Sequence, residues 1–192
     1  MNRIDLSRGT QSEVGLRQLD WTYYDTLTMA TGTLSNRLFT AGLGVGGKSL
    51  WQTNLKGNGV IPTGESMEVH SIRINYTSSA DIATTALTYL YNMLCKTTAE
   101  VKIAGAESVL TVTLQELMGL NLAVSQTLVT TYANAGIPYP IFTGEYKLKR
   151  PITFAENQTV EVLVTHQVAA NSALDGHFLR IGLHGVLTRR LA

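Results

Sequence analysis

The sequence predicts an all-β domain, and three observations predict it. Thr is about as common as Leu, and Val, Ile and Tyr recur along the chain, which is the composition of pleated, half-buried strands. Two late segments alternate with period two: Val160, Val162 and Val164 share one face against Glu161, Leu163 and Thr165, and Leu179, Ile181 and Leu183 alternate with Arg180, Gly182 and His184. No long segment carries the 3.6-residue amphipathic period, which argues against βαβ repeats. Many short strands separated by Gly, Pro, Asn and Ser clusters then read as one sandwich or barrel.

The elements follow in chain order. Residues 1–20 read as an extended polar arm, with Arg3, Arg8 and Arg17 set against Asp5, Glu13 and Asp20. Residues 21–192 form the domain, which includes a glycine-rich connector at 41–64. Strand character begins at WTYYDTLTMAT, where Trp21, Tyr23 and Tyr24 make an aromatic cluster that suits anchoring an arm onto a neighbouring surface, capping the domain's own core or, less commonly, offering a sugar platform. IPTGES reads as a turn into SMEVHSIRINY, whose apolar phase (Met67, Val69, then Ile72, Ile74, Tyr76) slips at His70-Ser71 and predicts a bulge. Further strands are expected at ALTYLYNML, AEVKI, SVLTVTL and LAVSQTLVTTYA, with one short helical turn at QELMG. Tyr146–Leu148 leads through PITF and the turn AENQ into TVEVLVTHQV, and HFLRIGLHGVL is the last strand.

Composition narrows the function. The 192 residues suffice for one sizeable core. Only 15% are charged, against about 25% usually, and uncharged surface on this scale fits large subunit contacts or a Thr- and Ser-rich monomer. The net charge of +1 gives no electrostatic argument for nucleic acid. Arg180, Arg189 and Arg190 make a local positive cluster near the C-terminus, read first as a salt-bridged tail. The single cysteine, Cys95, permits no intrachain disulfide and reads as a small buried hydrophobe. The N-terminus lacks a charged-then-apolar leader and no window of about 18 apolar residues occurs, so synthesis in cytosol is expected.

Residues 42–49, GLGVGGKS, match the pattern of a phosphate-binding loop. The context is wrong. The preceding TLSNRLFTA is interrupted by Asn36 and Arg37, and any helix opening at Lys48 would soon meet Gly57, Gly59 and Pro62. No aspartate closes a second apolar strand. The glycines then supply loop flexibility, and Lys48→Ala is expected to leave function and assembly essentially unchanged. The histidines His70, His166, His177 and His184 show no metal-ligand spacing, and no G-x-S-x-G occurs. Glu65/Glu68 and Glu156/Glu161 are carboxylate pairs by proximity alone. No catalytic, cofactor-binding or metal residue is assigned, and no enzyme is expected.

The segments KLKRPITFAENQTVEVLVTHQ, FLRIGLHGVLTRRLA and GVIPTGESMEVHSIRI, following a polar arm, resemble the strands of single jelly-roll viral capsid proteins. The nearest in style are the small capsid proteins of icosahedral, membrane-containing phages. The resemblance covers most of residues 60–190 and is one of pattern. It implies a jelly-roll-like sandwich with an N-terminal arm, acting as a self-assembling shell subunit of a virion. The partners would be further copies and other virion proteins, with contact to a virion membrane allowed and direct genome binding not expected, since the arm is not basic. Trp21, Tyr23, Tyr24, Arg189 and Arg190 are the candidate interface residues. Two alternatives remain: a phage head-decoration, tail or fibre-attachment protein, and a carbohydrate-binding or glycosidic sandwich.

Overall fold

The protein is described from a computed structural model covering residues 15–57, 59–77, 89, 92–93, 95–103, 107–118, 142–167, 169 and 172–190. Among these residues the chain forms eight strands: β1 (Leu16–Thr28), β2 (Ser35–Leu38), β3 (Glu65–Thr77), β4 (Thr97–Ile103), β5 (Glu107–Thr113), β6 (Phe142–Phe154), β7 (Val160–His166) and β8 (Phe178–Arg190). One short helix, α1 (Leu114–Met118), follows β5. It is capped by the Glu116 carboxylate, which accepts the Thr113 N–H at 3.0 Å, while the Thr113 hydroxyl accepts the Glu116 N–H.

The strands build two four-stranded sheets, in the orders β1-β8-β3-β6 and β2-β7-β4-β5. Each strand pairs antiparallel with its counterpart from the other end of the chain: β1 with β8, β2 with β7, β3 with β6 and β4 with β5. A chain folded back on itself in this way and then rolled into two sheets is a jelly roll. The period-two faces meet between the sheets. Ile72, Ile74, Tyr76, Ile181 and Leu183 come from one sheet, and Leu38, Val101, Val162 and Val164 from the other, all buried. The alternating runs at 160–164 and 179–183 therefore face the core as their periodicity predicts.

The bulge predicted at His70-Ser71 is present: the register of β3 shifts between Val69 and Ser71 against both β6 and β8. It brings the β3 backbone against Gly185, where an added Cβ would lie 1.9 Å from the Glu68 carbonyl oxygen and 2.9 Å from the Val69 Cα. Only a residue without a side chain fits opposite this bulge. Gly185→Ala is expected to cost about 1–3 kcal/mol, the usual range for overpacking, seen as a lower urea midpoint with unchanged slope.

Three expectations need adjusting. The stretch at 86–94, expected as a strand, is helical at its described positions 89, 92 and 93. Its Tyr and Thr residues suit a strand, but Ala86, Leu87, Leu90, Met93 and Leu94 are good helix formers, and the helix preference prevails. The strand β1 begins at Leu16, so residues 16–20, expected in the arm, pair with β8 from Arg190 to Val186. Polar residues on an outward strand face look like an arm in sequence because no apolar alternation marks them. The strand expected at 122–133 lies outside the described residues. Cys95, expected to be buried, is intermediate in exposure.

Candidate functional site

The glycine-rich stretch makes a compact turn rather than an anion cradle. Gly44, Gly46 and Gly47 have φ of 82°, 62° and 78°, a region open mainly to glycine. Gly44 opens the 3-10 turn Val45–Gly47, Gly46 and Gly47 lie within it, and Lys48 leaves it in extended conformation instead of opening a helix. The charge of Lys48 points inward. Its Nζ lies 2.6 Å from both carboxylate oxygens of Asp25, a fully buried residue of β1. The same carboxylate accepts the Phe39 N–H at 2.7 Å and the Thr26 N–H at 3.0 Å. This pairing argues against the expectation that Lys48 is dispensable: Lys48 neutralises a buried charge, and an unpaired buried charge is expensive.

Beyond Lys48 the connector is fastened to the outer edge of β1. Asn54 accepts the Tyr24 N–H at 2.9 Å and donates to the Thr22 carbonyl at 2.7 Å. The Tyr24 hydroxyl donates to the Leu50 carbonyl, the Arg180 guanidinium donates to the Trp51 carbonyl, and the Trp51 ring packs edge-on against Phe178 at 4.8 Å. The two Asn54 bonds occupy backbone groups that the edge strand β1 would otherwise offer to another chain. Together these contacts fix a loop that presents apolar side chains to solvent: Leu43 is 46% exposed, Val45 45%, Leu50 63% and Trp51 48%. The one cation in this loop, Lys48, is turned away from that surface.

The five residues singled out in sequence do not form one patch. Trp21, Tyr23 and Arg189 come together with Glu65. The Tyr23 hydroxyl donates to Glu65 at 2.9 Å, Arg189 Nε lies 2.8 Å from the other carboxylate oxygen, and the Arg189 guanidinium sits 5.7 Å above the Trp21 ring. Burial, then the bond to Glu65, pushes the Tyr23 hydroxyl pKa well above the ordinary range. Tyr24 lies on the opposite face of β1 beneath Arg180, at 4.8 Å. Arg190 is exposed and pairs loosely with Glu156 at 3.9 Å. Most of these groups satisfy each other within the chain. Leu43, Val45, Leu50 and Trp51 went unremarked in sequence, where the signal was four large apolar residues in a stretch with a single charge.

The outer face of the β1-β8-β3-β6 sheet carries a shallow trough of about 490 Å³. Tyr24, Gly182, Arg73 and Glu145 are register neighbours in one row across the four strands. The absent side chain at Gly182 makes the floor, and Gly144 on the edge strand extends it. Glu145 accepts bonds from Ser71 and Arg73, which hold its carboxyl below the usual range. Each carboxylate of the proximity pairs has its own partner: Arg189 and Tyr23 for Glu65, His70 for Glu68, Arg190 for Glu156 and Arg37 for Glu161. Glu65 starts β3 rather than sitting in the turn. No group of three His, Cys, Asp or Glu able to hold a metal occurs among the described residues, and none of their helices is long and apolar enough to cross a membrane.

No family model matches this sequence, and no curated protein matches it. In structure the chain is similar to the acidic stable capsid structure of Helicobacter pylori bacteriophage KHP30, at 11% identity over 91% of this chain and 92% of that chain, with a TM-score of 0.33. The jelly-roll assignment rests on the strand pairing within this chain.

Proposed function

We propose that this protein is a self-assembling shell subunit of a virion, with a phage as the setting. The observation that carries the reading is the exposed apolar set Leu43, Val45, Leu50 and Trp51 on a loop fixed by Lys48, Asn54, Tyr24 and Arg180. Apolar residues on a pre-organised loop lower the entropic cost of association, and charge depletion is the mark of an interface centre. The jelly-roll topology is shared by viral capsid and lectin domains, and its interior here is filled with side chains. Topology alone does not choose between those functions; the exposed loop favours assembly. In this reading residues 1–14 are a tie to a neighbour, and Arg190 stands at a subunit rim.

Size-exclusion chromatography with light scattering tests it. The full chain is expected to form multimers at high concentration. Leu50→Ser combined with Trp51→Ser is expected to shift it toward monomer, and removal of residues 1–14 to weaken assembly while leaving the sandwich folded. A strict monomer across concentration and salt overturns the shell reading. Truncated protein that assembles like the full chain removes the arm from it. Electron micrographs separate closed shells from a decoration or tail protein. The outer-face trough favours one other reading, a carbohydrate-binding sandwich with Tyr24 as the sugar platform. Binding on a glycan array, lost in Tyr24→Ala, together with monomeric behaviour, would establish that reading instead.

A further inference from the structure

His166 closes β7 and is 2% exposed. Its ring is bonded from one side. Thr97 Oγ1 lies 2.8 Å from Nδ1 and itself donates to the Met93 carbonyl at 2.6 Å. A hydroxyl has one proton to donate. With that proton directed at Met93, Thr97 can only accept from the ring, so His166 is the neutral tautomer protonated at Nδ1. Its Nε2 then carries a bare lone pair, buried and without a partner among the described residues. The main chain of the same residue donates to the Leu34 carbonyl at 2.7 Å, and the next residue, Gln167, donates to the Lys96 carbonyl at 3.0 Å. One residue thus joins β7, the start of β4, the helical residues ahead of it and the entry to β2.

A second buried histidine holds the other end of the same loop. The His177 carbonyl accepts the Met29 N–H at 2.8 Å, the Met29 carbonyl accepts the Gly176 N–H at 3.1 Å, and the His177 ring bonds the Tyr76 hydroxyl. Residues 29–34, the β1–β2 connection, are therefore held at Met29 beside His177 and at Leu34 by His166.

We propose that His166 is a pH-sensitive latch for this end of the sandwich, closed while its ring is neutral and released when acid adds a second proton at Nε2, where no acceptor stands among the described residues. The described polar groups at the His166 ring are the Thr97 hydroxyl and, behind it, the Met93 carbonyl, neither charged. Burial alone lowers the His166 pKa. At His177 burial lowers the pKa too, while the neighbouring Asp175 opposes the shift. The unfolded chain takes up these protons near the ordinary value of about 6.5, before the folded chain does. The stability tied to His166 is thus complete above about pH 6.5 and is lost as pH falls through the lower folded value.

Ring 15N spectra of the full labelled chain from pH 8 to 5 test the latch directly. Protonated Nδ1 with bare Nε2 at neutral pH, persisting below pH 6.5 until signals of residues 29–34 are lost, is expected. An Nε2-protonated tautomer, or ordinary titration near 6.5 with those signals intact, overturns the proposal. Urea unfolding adds a second measurement. In His166→Asn the amide N–H replaces Nδ1–H toward Thr97 and nothing titrates. The rise of the unfolding constant with acid should be shallower in the variant by up to about tenfold per pH unit, the linkage of one proton. An equal rise in both proteins overturns the proposal, and if the variant does not fold, the ring spectra of the unaltered chain decide.

Discussion

Replacing Lys48 by alanine is expected to destabilise the protein by about 3 kcal/mol, the lower end of the range for breaking a buried ion pair. Asp25 is fully buried, so without Lys48 its charge would be left with only the Phe39 and Thr26 N–H groups. Those two bonds, and the 21% exposure of the Lys48 side chain, keep the effect from the upper end. The loss should appear as a lower urea midpoint at neutral pH. It should be smaller in the double variant Asp25→Asn, Lys48→Met, because replacing both partners removes the desolvation cost together with the attraction. The connector should loosen as well, since Lys48 fixes the turn that presents Leu43 and Val45, so assembly and stability should fall together. A midpoint unchanged in Lys48→Ala would show that the two N–H groups satisfy Asp25 by themselves.

Val162→Asp is expected to abolish folding. Val162 is 1% exposed at the centre of β7, between β2 and β4, where its register partners are Leu38 and Val101. All three are buried. A carboxyl there meets apolar side chains, and an uncompensated buried polar group costs several kcal/mol, comparable to the 5–15 kcal/mol that holds a typical domain together. Insoluble protein or a lost near-ultraviolet circular dichroism signal is the expected outcome. A soluble variant with the parent's thermal midpoint would place the 160–164 face against solvent. Leu163→Asp, on the other face and partly exposed, is the matched control and should fold.

Sequence by itself determined the parts of this protein that obey a local period. Alternation at 160–164 and 179–183 assigned two strands and their inward faces, because a residue's neighbour two positions along lies on the same side of a sheet whatever the strand pairs with. The slip at His70-Ser71 gave the bulge for the same reason. Poor context around GLGVGGKS rejected the phosphate loop without any coordinates, since a following helix is a local requirement and Gly57, Gly59 and Pro62 forbid it. The short helical turn at 115–119 was visible too, and α1 lies at Leu114–Met118.

Tertiary structure alone decided which distant residues meet. Asp25 and Lys48 are 23 positions apart, Thr97 and His166 69, and Val69 and Gly185 are brought together by β3–β8 pairing. No periodicity encodes such distances, because closing a long loop costs an entropy that depends on its length and not on its residues. Composition showed a surface poor in charge, but only the fold showed that Lys48 turns inward while Leu43, Val45, Leu50 and Trp51 stay outside. Trp21, Tyr23 and Arg189, chosen as candidates for a neighbour, were found engaged with Glu65 of their own chain. Aromatic and basic residues suit an internal cluster as well as an interface, and the choice rests on which partner reaches them first in space.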